Sequence, residues 1–154
     1  MTVTFRRAPD FERRTDMIEA TLDCIAETGI RAATVRALAA RAGVSSGLIR
    51  HHFASKDNLI LAAYRRIIEM ITRPALDVLE SSGGTPHQRL ASFVVASLSE
   101  PVADPRMLSL WATFISQIHV DPQIAGIHRE SYVSFRKAAE PLIGEVLAAE
   151  GRGS

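Results

Sequence analysis

Apolar residues return along this chain every three to four positions, and nowhere do they alternate in steps of two over the length of a strand. The pattern predicts helices throughout. Ile18, Leu22 and Ile25 recur at i, i+4 and i+7 behind Asp10, read as the cap of a first helix that Gly29 closes. Thr34 heads a short second helix, VRALAARA, ended by Gly43, and Ser45 heads a third, SGLIRHH. Ser55 heads a long fourth helix with a stripe of Ile60, Tyr64, Ile67 and Ile71. Pro74 falls inside that pattern, so a kink or break is expected near Arg73. After the loop SSGGTP, a fifth helix is expected from Pro86 to Ser99 and a sixth from Arg106 to His119. A seventh starts at Asp121-Pro122, with aspartate as cap and proline in the first helical position, and the polar tail AAEGRGS is expected to fray. The fold class is all-α.

Composition narrows the class further. With 154 residues, 47% apolar and 23% charged, the chain has the balance of an ordinary globular protein with a real core. No apolar run approaches the ~20 residues of a membrane helix, and MTVTFRRAPDFERR contains no secretory segment. Cys24 is the single cysteine, which excludes an internal disulfide and fits a reducing, cytoplasmic compartment. The net charge of +1 hides an asymmetry: residues 1–74 hold 12 basic and 8 acidic residues, residues 75–154 hold 6 and 9. That suits a polyanionic partner for the first part only, with a chance excess of charge as the competing reading.

The stretch TVRALAARAGVSSGLIRHHF carries the most chemistry. Two short helices that cross closely need a small residue at the crossing, which Ala39 supplies, and a turn tolerant of positive φ, which Gly43 supplies. Leu38, Val44 and Ile49 are spaced to fill the wedge. Ser45 and Ser46 offer hydroxyls to phosphates, and Gly47 lets the backbone approach a groove. Arg50 can reach guanine O6 and N7 as a bidentate donor. His51 and His52 can donate to phosphates, and Lys56 can join the amides at the start of the fourth helix.

On these residues a family resemblance rests. Residues 13–73, through Ile18-Glu19-Ala20-Thr21, the Gly29 turn and ATVRALAARAGVSSGLIRHHFASKDNLI, resemble the DNA-binding domain of the TetR/AcrR family of bacterial transcriptional repressors. GVSSGLIRHHFASKDNL is similar to the BetI-like branch, repressors of choline and glycine betaine genes, with His52 where tyrosine is usual. The resemblance implies a three-helix DNA-binding domain over 10–56 and a helical ligand-binding and dimerisation bundle over 57–154. It places Thr34, Arg36, Ser45, Ser46, Arg50, His51, His52 and Lys56 where the family contacts DNA. It also implies a homodimer on a palindromic operator, recognition helices about 34–36 Å apart, and release by a small-molecule inducer. Arg6-Arg7 is a candidate basic arm.

For the second part, Phe93, Met107, Trp111, Phe114, Ile115 and Ile118 sit at helical spacings and are candidates to line a pocket; core packing is the competing role for such a stripe. LWATFISQIHVDPQIAGIHR again looks BetI-like, and a quaternary ammonium would favour the face of Trp111. Family members typically carry two further helices that pair in the dimer. The chain is expected to lack them: either it dimerises through other surfaces such as its sixth and seventh helices, or, as the rival reading, it is a non-repressing fragment acting only as an interaction or non-specific DNA-binding module. An enzyme is not expected. Cys24 has no histidine near it, and His119, Asp121 and His128 straddle a helix start instead of sharing a face for a metal. Glu140 and Glu145 read as a solvated face, and the absence of a glycine-rich phosphate loop and of a nucleophile elbow speaks against a cofactor or catalytic serine.

Overall fold

The computed structural model describes residues 9–81 and 83–152. Among them it contains α1 (Asp10–Thr28), a 3-10 turn (Ile30–Ala32), α2 (Val35–Ala42), α3 (Ser46–Phe53), α4 (Lys56–Glu80), α5 (Pro86–Leu98), α6 (Pro105–Ile115) and α7 (Pro122–Ala149). No strand occurs among the described residues. The chain divides into two compact units, Met1–Ala63 and Tyr64–Ser154, with the boundary inside α4. Arg6-Arg7 lies outside the described residues.

In the first unit α1 packs on α2, and α2 on α3. Met17, Leu22, Ile25, Leu38, Ile49 and Phe53 form its core. Removing Leu38 or Ile49 from water contributes about 1.5–3 kcal/mol each. Val44, the third expected wedge residue, is only half-buried. Thr21 is fully buried, and its hydroxyl donates to the Met17 carbonyl over 2.7 Å. The expected cap of α1 needs correcting: the helix begins at Asp10 itself, with Pro9 in the cap position and no side-chain cap bond. Proline fixes φ at the entry, and Asp10 instead sits in the first turn, where the amide dipole favours a carboxylate.

In the second unit α5 packs on α7. The Arg89–Glu145 ion pair at 2.7 Å and His87–Glu150 at 3.1 Å join them, so Glu145 belongs to a helix–helix contact and not simply to a solvated face. Tyr64, Ile67, Met107, Leu110, Phe114, Ile124, Ile127 and Leu142 are buried. Two helix boundaries differ from expectation. α4 runs unbroken through Pro74, although the proline removes one backbone bond at a cost of about 3 kcal/mol. Ala75 is fully buried beside it, and Arg73 bridges to Asp77 and to Glu80 across the gap. α6 ends at Ile115, four residues early, because Gln117, Ile118 and Val120 donate to carbonyls three residues back and tighten the chain into turns.

Candidate nucleic-acid interface and cavity

Short-range hydrogen bonds fix the α2–α3 pair. Thr34 Oγ1 accepts from the Ala37 amide at 3.2 Å, and Ser45 Oγ accepts from the Leu48 amide at 3.1 Å. Between the two caps Gly43 turns the chain with φ 65°, ψ 33°, a left-handed conformation costly for any residue with a Cβ. Val44 donates back to Ala39 over 3.0 Å, closing the turn on the small residue at the crossing. Each capping hydroxyl keeps its own O–H for an outside acceptor.

The surface left free by this packing is polar. Thr34, Arg36, Ser45, Ser46, Gly47, Arg50 and His51 are exposed. Arg36 and Arg50 make no ion pair or side-chain hydrogen bond among the described residues. Arg41, one turn beyond Arg36 on α2, is engaged: it pairs with Glu27 of α1 through two bonds, one of 2.7 Å, and the carboxylate raises its pKa. Lys56 is half-buried at the start of α4, 3.8 Å from Asp57. Ser55 caps that helix by accepting from the Asn58 amide at 3.1 Å.

His52 is placed differently from its neighbours. Its side chain is 5% exposed, with Nε2 3.7 Å from an Asp10 carboxylate oxygen and without a hydrogen bond. His52 is thus less accessible than Ser46, Arg50 and His51 beside it. Arg14 of α1 holds the same end of α3: it donates to the His52 carbonyl over 2.8 Å and lies 4.3 Å above the Phe53 ring. Sequence reasoning missed Arg14; its nearest signal, the pair Arg13-Arg14, does not say which arginine faces α3.

In the second unit, cavities of about 350, 160 and 200 Å³ adjoin one another. Trp111 lines two of them and Met107 one. Phe93 stacks on Phe135 at 5.5 Å and so backs a wall residue, while Phe114 is fully buried against Tyr64 at 4.7 Å. Ile115 and Ile118 line none of the three, Ile118 because it lies in the turns after α6. Tyr132, Phe135, His128, Ile68 and Thr72 are wall residues that helical spacing alone did not single out. Tyr64 lies 3.0 Å from His128 Nδ1, and burial raises its pKa, which keeps the phenol protonated and able to donate. Asp121 accepts from the amides of Gln123 and Ile124 through one carboxylate oxygen, as the cap of α7.

Comparison with known proteins gives the family. Residues 17–63 match the model of bacterial regulatory proteins, tetR family, and residues 86–154 match that of the BetI-type transcriptional repressor, C-terminal. The HTH-type transcriptional regulator BetI of Escherichia coli is 32% identical over 134 residues, which are 86% of this chain and 67% of the relative. The chain belongs to the tetR family of bacterial regulatory proteins.

Solved members of this fold agree. A Pseudomonas aeruginosa chain solved as a transcriptional regulator superposes with a TM-score of 0.87 at 32% identity, covering 99% of this chain and 73% of that one. A regulator from Saccharomonospora viridis, solved in complex with choline, superposes at 0.70 with 22% identity, covering 87% of this chain and 69% of that one, and shares the fold. The chain spans 60% to 67% of the length of its curated BetI relatives. The tetR-family match covers α2, α3 and their cradle in α1, and the BetI-type match covers α5 to α7. Membership of a family of transcriptional regulators agrees with the expectation that the chain is not an enzyme.

Proposed function

We propose that this chain is a sequence-specific DNA-binding repressor, acting as a two-fold dimer on a palindromic operator and released by a small molecule held in its second unit. The observation that carries the first part is the pair of exposed, unpartnered guanidinium groups, Arg36 and Arg50, on two capped helices. Arg50 is assigned to a base edge, and Thr34, Arg36, Ser45, Ser46, His51 and Lys56 to phosphates, with Gly47 giving the backbone room. His52 is assigned a supporting role inside the unit, on the grounds of its burial. Val95 and Leu98 of α5 and Ile143 of α7 are exposed, and supply apolar area for self-association.

The ligand is proposed to be a small quaternary ammonium of the choline type. Trp111, Tyr132 and Phe135 border one cavity, and aromatic faces attract such cations. The choline complex of the Saccharomonospora viridis regulator supports the same reading. The domain boundary is proposed to lie at the start of α4, with residues 10–56 reading DNA and residues 57–154 sensing the ligand and dimerising.

Selection of random duplexes on the full chain tests the first part. It should yield an inverted repeat whose half-sites are one helical turn apart, about 10 base pairs. Recovery of unrelated sequences would reject operator reading. Calorimetric titration with choline tests the second part, and absence of saturable binding would reject it.

A further inference from the structure

The three cavities of the second unit have two wall residues in common, Thr72 and Phe135. Their chemistry differs. The largest, about 350 Å³, is bordered by Arg65, Glu130, Ser131 and Ser134. The other two, about 160 and 200 Å³, share Trp111 and are otherwise mostly apolar. Phe135 therefore stands where a polar lobe meets two aromatic ones. Its ring is half-buried and held by a near-parallel stack on Phe93 (5.5 Å, 27°). Such a ring is fixed by one aromatic partner and not by a full core shell.

We propose that Phe135 is the residue that sets ligand length. The lobes form one site that its ring divides, so a compact ammonium ion fits beside Trp111 and a chain long enough to enter the Arg65–Glu130 lobe is refused. This inference rests on the ligand reading above and adds to it the residue that sets the size limit. Thr72 and Ser131 are too small to separate them, and Ile68 borders only the polar lobe and the smaller aromatic one, so Phe135 is the large side chain common to all three.

Trp111 is the only tryptophan and lines both aromatic lobes, so its fluorescence reports occupancy. The full chain and its Phe135→Ala and Phe135→Leu variants are titrated with tetramethylammonium, choline and octyltrimethylammonium. The wild type should bind the two compact ions more tightly than the octyl compound. Phe135→Ala should improve octyl binding relative to tetramethylammonium by roughly tenfold or more, since apolar pockets discriminate chain length by factors of that order. Phe135→Leu, which keeps more of the apolar bulk, should move in the same direction by less, and decides the matter if the alanine variant does not fold. An unchanged ratio in the folded variants, or a wild type that already prefers the octyl compound, overturns the assignment of Phe135 alone. A wild type that binds none of the three overturns the ligand reading and the proposal with it.

Discussion

The guanidinium of Arg14 donates to the His52 carbonyl over 2.8 Å, so the first helix of the chain grips the last turn of α3. That carbonyl is one of the orphan acceptors every helix leaves at its C-terminus, and a cation there also suits the dipole. Arg14 is exposed, so the contact is discounted for solvent and assigned about 1 kcal/mol. Arg14→Ala should lower the melting temperature by several degrees, about 4–8 °C per kcal/mol in a domain of this size. It should also weaken operator binding below the melting range, through a looser α3. Unchanged melting would remove Arg14 from the account.

Ala54, between α3 and α4, is the one residue other than glycine with a positive φ among the described residues, at φ 65°, ψ −38°. Its Cβ makes that conformation unfavourable, and glycine would adopt it freely. Glycine also gains freedom in the unfolded chain, so the net effect of Ala54→Gly is a stabilisation of roughly 0.5–1 kcal/mol. Urea unfolding would show it as a higher midpoint at constant slope; a lower midpoint would contradict the strain.

Tyr64 is fully buried, and burial lifts its pKa above the ordinary value of 10.0. Above that value the unfolded chain gives up this proton while the folded chain keeps it. Stability from Tyr64 is therefore complete below about pH 10 and is lost as pH rises toward the folded pKa. Tyr64→Phe should flatten the fall in urea midpoint between about pH 8 and about pH 11. Equal slopes in both proteins would contradict a buried, protonated phenol.

Lys56 stands at the start of α4 beside amides that point outward. Lys56→Ala should weaken binding to all duplexes alike and reduce the slope of log affinity against log salt by about one unit. An unchanged slope would remove it from the phosphate contacts.

The local code of the first unit was legible because its determinants are short-range. Thr34, Ser45 and Ser55 each cap the helix that follows, and Gly43 takes the left-handed turn, all within three residues of what they act on. The contacts of His52 with Asp10 and Arg14 come instead from some forty residues away in sequence, and no spacing rule reveals such partners. At Pro74 the helix does not break, and the buried Ala75 and the Arg73 bridges offset part of a penalty that local propensity counts in full. In the second unit an aromatic stripe marked Phe114 and Trp111 alike. Only the fold separates the ring stacked under Tyr64 from the one that lines a cavity.

The central claim, that α3 reads bases through Arg50, is tested most directly by fluorescence anisotropy. The full chain and Arg50→Ala are titrated at fixed salt with DNA flanking its own gene, each against random-sequence competitor. Wild-type binding should survive competitor, and the variant's preference for the specific duplex should fall by about 1–3 kcal/mol, five- to 150-fold, while its affinity for random DNA changes little. Equal losses on both duplexes, or wild-type binding abolished by competitor, would contradict it.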